Sequence, residues 1–147
     1  MAFTFNVALG RVASLAALPA TNDALIAVPI EATGIVADSV MRDYDTLADL
    51  LAGASNEQTT MGRKTLSGVT VTVDDTNDRV AVDCADITWT AATGNPISAL
   101  VICYDPDTTG GTDTDLVPLT KHDLSMTPDG STYTLTIADF YRASSAA

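Results

Sequence analysis

From Arg63 onward the chain adopts a period of two, and that rhythm constrains the fold more than any other feature. In Val69-Thr70-Val71-Thr72-Val73 every second residue is apolar, which predicts a strand with its valines inward and its threonines toward water. Asp74–Asp78 reads as a turn, and Arg79–Cys84 returns with Val80, Val82 and Cys84 on one face, which completes a hairpin. Ile87–Thr90 is a further strand, closed by the turn at Gly94-Asn95-Pro96. Ile97–Tyr104 is apolar on both faces, so it is expected at the centre of the sheet. After the polar loop Asp105–Asp115, Leu116–Thr120 resumes extended structure, and Thr132–Ile137 is expected as the final strand. Short strands with turns about every ten residues predict a mainly β chain, a single antiparallel β-sandwich or barrel-like domain.

The first third has a different character. Asn6 is placed to cap a helix through Val7, Leu9, Val12, Leu15 and Leu18, stopped by Pro19. Its apolar residues go almost all the way round, so the segment is either buried or docked on a partner chain. Ala24–Ile30 carries Pro29 and is expected as an edge strand. Near 45–52 a short helix is expected, capped by Asp45 or Thr46 and stopped by a left-handed Gly53. The division that follows is an N-terminal helical or extended arm over 1–36 and a β-rich body over 37–147. Few charges and dense apolar content make the arm a docking element, with Val7, Leu9, Val12, Leu15 and Leu18 as contacts. On that view a chain lacking residues 2–18 still folds.

Charge excludes one class of partner. Seven Lys and Arg against 19 Asp and Glu leave a net charge of −12, the opposite of the positive footprint that nucleic acids require. No membrane span is expected, because Val7–Ile35 is interrupted by Arg11, Pro19, Asp23, Pro29 and Glu31. Cys84 and Cys103 read as buried free thiols rather than a bridge or metal pair.

Chemistry-bearing patterns are sparse. Asp105, Asp107, Asp113 and Asp115 alternate around Gly110-Gly111, as a calcium loop would arrange its carboxylates. Leu116 stands at the twelfth position instead of a bidentate Glu, so a solvated turn explains the residues as well. His122, the only histidine, has no nucleophile at a recognisable spacing and is expected at the surface or a strand end. Ser67 is a turn residue, and Gly62-Arg63-Lys64-Thr65 lacks the glycine loop of a phosphate-binding motif. Arg63 and Lys64 form the one adjacent basic pair, either solvated and salt-bridged or in contact with an acidic patch on a neighbour. No cofactor and no enzymatic activity are expected.

Several stretches together carry a family resemblance: Asn6-Val-Ala-Leu-Gly-Arg-Val, Ala37-Asp-Ser-Val-Met-Arg-Asp-Tyr-Asp-Thr-Leu, Arg63-Lys-Thr-Leu and Asp74-Asp-Thr-Asn-Asp-Arg-Val-Ala-Val-Asp. Asp86-Ile-Thr-Trp-Thr-Ala-Ala, Leu100 through Asp113, Leu116-Val-Pro-Leu-Thr-Lys-His-Asp and Phe140-Tyr-Arg-Ala-Ser continue it over nearly the whole chain. The pattern resembles small structural proteins of tailed bacteriophages. That resemblance implies a virion component, assembled in the bacterial cytoplasm, and assigns no functional residues. Small size, acidity and sparse chemistry narrow the expectation to a capsid decoration or stabilising protein. Its partners would be the major capsid protein and its own copies, as a homotrimer. The alternatives are a tail, head-fibre or connector component and, from another class, a calcium-dependent carbohydrate-binding β domain.

Overall fold

A computed structural model describes residues 1–53 and 55–145. Ten strands form in chain order: β1 (Phe3–Thr4), β2 (Ala24–Glu31), β3 (Lys64–Thr65), β4 (Thr70–Asp74) and β5 (Arg79–Asp83), then β6 (Ile87–Trp89), β7 (Ile97–Asp105), β8 (Val117–Met126), β9 (Tyr133–Leu135) and β10 (Tyr141–Ser144). Three short helices accompany them, α1 (Val12–Ala16), α2 (Asp38–Met41) and α3 (Leu47–Ala52). Every strand pairing is antiparallel. The main sheet has the order β1-β8-β7-β2-β3, the second β10-β5-β4, and β6 with β9 forms a two-stranded ribbon. The chain is a mainly β, sandwich-like domain.

Both faces of the main sheet are covered, which explains why β7 is apolar throughout. On one face Leu25, Ala27, Leu100, Ile102 and Leu119 join Val82, Cys84, Ile87, Trp89 and Phe140 from the other strands and their connections. On the other, Ile26, Val28, Ile30, Val101 and Cys103 meet Phe5, Met41, Leu47 and Leu50. Alternate side chains of β2 and β7 therefore enter two separate cores. Because Cys84 and Cys103 lie in different cores, the two thiols stay apart, and both are free and buried.

The first third enters these same cores. Phe5, Ala8 and Val12 are fully enclosed, and Leu15 and Ala16 nearly so. Val7 packs half-buried against both cores, whereas Leu9 and Leu18 stay exposed at 61% and 54%. Val12 and Leu15 are thus core residues rather than docking contacts. The long helix expected over this stretch does not form, because Gly10 at φ +71° breaks the chain between a 3₁₀ turn (Asn6–Ala8) and α1. Asn6 caps nothing; its amide donates to Asp43 instead.

Nor is β2 an edge strand. It lies between β7 and β3, and β3 pairs only with Ile26 and Ala27. The Pro29 carbonyl accepts from Gln58 N on the side away from β7, so the missing proline N–H faces that outer flank and costs the β7 ladder nothing. Residues 1–36 therefore do not separate as an arm, and positions 146 and 147 of the expected body lie outside the described residues.

Elsewhere local chemistry explains the elements. The four-residue turn between β4 and β5 is held by Asp74, whose carboxylate accepts from the Thr76 and Asn77 amides and from the Asn77 side chain. Val69 and Val71 pack on the core, while Val73 overhangs at the hairpin end and is 70% exposed. Thr46 caps α3 by accepting from Asp49 N at 3.1 Å. Gly53 follows α3 with φ −79°, so it is not a left-handed stop. Its role is clearance: a Cβ there would sit 1.9 Å from the Tyr44 hydroxyl. The last strand is β10, which extends the second sheet beyond β5; the expected final strand is β9.

Candidate functional site

The loop carboxylates do not converge. Asp107 accepts from Thr109 N, Thr109 Oγ1 and Gly110 N, and Asp105 accepts from Asp107 N. Asp115 accepts from Thr112 N and Oγ1. Asp113 turns away to Arg63. Asp105, Asp107 and Asp115 each serve their own stretch of loop, and among the described residues no three His, Cys, Asp or Glu side chains group as metal ligands. The hydrogen bonds to Thr109 hold Asp107 below the ordinary carboxylate range.

Arg63 is a clamp. Its Nε and Nη2 donate to Glu57 at 2.8 and 2.6 Å, and Nη1 and Nη2 donate to Asp113 at 2.6 and 3.0 Å. Two bidentate pairs use four of the five N–H donors of the planar fork and tie the 105–115 loop to the segment before β3. The guanidinium therefore meets an acidic patch within its own chain, the salt-bridged alternative. Lys64, next to it on β3, is half-buried and has no ion-pair partner among the described residues.

A second cluster had no signature in the sequence. Lys121 is only 4% exposed on β8. Its ammonium pairs with Asp123 and, at 3.2 Å, with Asp38 at the start of α2. The Met1 ammonium reaches Asp38 at 2.7 Å and Asp123 at 3.0 Å. Two cations alternate with two anions, and Phe3 lies within 5.9 Å of the Lys121 ammonium. Hydrogen bonds from the Met1 ammonium and Lys121 hold Asp38 below its ordinary range, and those from Lys121 and Met1 do the same for Asp123.

His122 lies on β8, half-buried, with its ring edge-on to Phe140 at 6.5 Å and Nε2 2.9 Å from Thr120 Oγ1. It is not a surface or strand-end residue. Burial pulls its pKa below the ordinary value and so favours the neutral ring. Beside it a cavity of about 200 Å³ opens between the main sheet and the chain leading from β9 to β10. Ile87, Leu100, Ile102, Leu124, Leu135, Ile137 and Phe140 supply its apolar wall, with Cys84, His122, Asp123, Thr136 and Asp139 among them. A shallower depression of about 190 Å³ lies beyond Phe140, against Phe3, Lys121 and Arg142. Burial and the neighbouring Asp83 and Asp86 push the Cys84 thiol up to about 11, so it holds almost no thiolate at neutral pH. The cavity can enclose a small, mostly aliphatic group.

Gln58 is the other residue the sequence hid. Fully buried, it donates to Asn95 O at 2.7 Å and accepts from Thr60 N at 2.9 Å. A Cβ at Gly94 would lie 2.4 Å from its amide, so this turn needs glycine for contact as well as for its φ of +114°. No family model, curated protein or solved structure matches the chain.

Proposed function

We propose that this chain is a structural protein of a tailed-bacteriophage particle, a decoration or stabilising protein on the head surface. The observation that carries the reading is where the motifs of the resemblance fall. Arg63 clamps a loop, Asp74 and Arg79 close a hairpin, and Asp38, Lys121 and Asp123 form one ion cluster. Trp89 is 1% exposed and donates to Gly62 O at 3.1 Å. The distinctive residues serve the scaffold, as suits a protein whose task is to add a stable folded body. Its acidity keeps free copies apart before assembly.

Attachment to the major capsid protein then uses surface left over by the cores. Leu9 and Leu18 beside α1, together with Lys64, remain of the original contact candidates. Self-association as a trimer at a symmetric site is part of the same reading. Quantitative mass spectrometry of purified particles of the phage encoding the chain tests it. A copy number comparable with that of the major capsid protein supports decoration. A few copies per particle moves the chain to tail, fibre or connector, and absence from particles overturns the proposal.

A further inference from the structure

Strand β4 ends the second sheet, and among the described residues no strand pairs its outer flank. On its inner side lies β5, whose ladder to β10 continues to Ser145, where the N–H donates to Asp78 O at 2.9 Å. Backbone groups alternate sides along an antiparallel strand, so Val80 and Val82 serve β10 while Arg79, Ala81 and Asp83 serve β4. Thr70, Thr72 and Asp74 are the partners of those three, which turns the N–H and C=O of Val71 and Val73 outward. Thr70, Thr72 and Val73 are exposed, Val73 at 70%, and the strand holds no proline, lysine, arginine or bulge. Native edges are blunted by such features or by brevity. The other short or outer strands have them: β1 and β3 span two residues, β6 and β9 three, and β10 carries Arg142.

We propose that this edge is an interaction surface for a second copy of the chain, joined antiparallel across a twofold axis through Thr72. In that register Val71 of each copy exchanges both backbone bonds with Val73 of the other, and every outward group finds a partner. The same two valines supply both halves of the ladder, as a contact between identical surfaces requires. Side chains agree with the register. Val73, which overhangs its own core, comes to lie against the second copy's Val71, a residue packed on that copy's core. Thr72 meets Thr72 on the outer face at a Cα separation of about 4.5 Å, within reach of a hydrogen bond between hydroxyls. Charge sets the direction. The turn after β4 adds Asp75 and Asp78 to Asp74, and a parallel pairing would set two such turns side by side. Antiparallel, Asp74 of one copy faces Thr70 of the other and Asp75 faces Val69, so neither opposes a like charge. Strands of this length bury less than the roughly 1,000 Å² of a stable interface, so the free dimer is weak, and many copies held on one surface strengthen it. This twofold contact is separate from the threefold association of the virion reading and does not rest on it.

The test uses the full chain, isotope-labelled, followed by NMR and sedimentation equilibrium from micromolar to millimolar concentration. A monomer–dimer equilibrium is expected, with saturable shifts at the Val71, Thr72 and Val73 amides and slowed exchange of the Val71 and Val73 N–H groups. In a mixture of labelled and unlabelled chains, a contact between the Thr72 α-protons of two copies identifies the register. Both copies are acidic, so dimerisation should tighten as salt is raised. Val73→Pro removes an outward donor from each copy and leaves the β5 ladder untouched, so it should weaken dimerisation about tenfold with little change in the melting temperature. A chain that stays monomeric at millimolar concentration overturns the proposal. So do an unchanged dimer in Val73→Pro, an association that weakens with salt, or a trimer in which these amides stay exposed. The contact between copies is read in the unmodified protein, so the answer stands even where the variant folds poorly. Because no particle is involved, failure here is separate from failure of the virion reading, which copy number decides.

Discussion

The β4–β5 hairpin and the first 36 residues pack on shared core, yet they carry their structural information in opposite ways. Within the hairpin everything needed is local: alternating valines, an Asp at the first turn position and a left-handed Asp78 at φ +49°. In the first third the buried apolar residues find their partners far along the chain. Phe5 N donates to Leu119 O, and β2 runs beside β7 in a register from Ala24–Asp105 to Glu31–Ile97. An apolar segment with no local partner reads as one waiting for another protein. Here the partner is the rest of the same chain, on two faces at once.

The first way to break the comparison is at the centre both regions share. Val101→Asp places a charge in a fully buried position of β7, opposite Lys121, whose ammonium is already committed to Asp38 and Asp123. It should cost about 5 kcal/mol or more, the order of a domain's whole stability, and abolish soluble folding. A soluble variant with a cooperative melt would remove β7 from the centre.

Arg63→Ala acts on a connection instead of a core. It leaves Glu57, whose side chain is 12% exposed, and Asp113 facing each other without their cation. A loss of about 1–3 kcal/mol is expected in denaturant unfolding, and Arg63→Lys should recover only part, because an ammonium cannot make both bidentate pairs. An unchanged midpoint in Arg63→Ala would show that the clamp contributes nothing.

Acid provides a graded version. Asp38 and Asp123 hold their folded pKa values below the ordinary carboxylate value, so they bind fewer protons folded than unfolded. Their contribution is complete above the unfolded value of about 4 and is lost as pH falls through the folded values. The melting temperature should therefore decline below about pH 4, and less steeply in Asp38→Asn/Asp123→Asn. Identical slopes would exclude the cluster as a source of acid sensitivity.

The smallest effect belongs to surface left by the first third. Leu9→Ser/Leu18→Ser removes two exposed side chains and should move stability by less than about 1 kcal/mol. If attachment uses that corner, particle binding falls while the melt stays. A large loss of stability would mean that these leucines are packed.

Legibility followed the range of each interaction. The antiparallel β class, the central place of Ile97–Tyr104, the Asp74 turn and the Thr46 cap could be read because alternation and capping act over a few residues. Pro29 misled because an edge position is only one way to hide a missing donor; an outer flank that β3 leaves unpaired is another. The Lys121 cluster was invisible because Asp38 lies 83 positions before it. The cavity was hidden too, since its walls come from four strands, from Cys84 just after β5 and from the 136–140 connection.

Deletion of residues 2–18 separates core from arm most directly, read by near-ultraviolet circular dichroism and thermal unfolding. The packing of Phe5, Ala8, Val12, Leu15 and Ala16 predicts a truncated chain with no fixed tertiary signal and no cooperative transition. A truncated chain with the native spectrum and a cooperative melt would contradict this, and would return the first third to the role of a detachable arm.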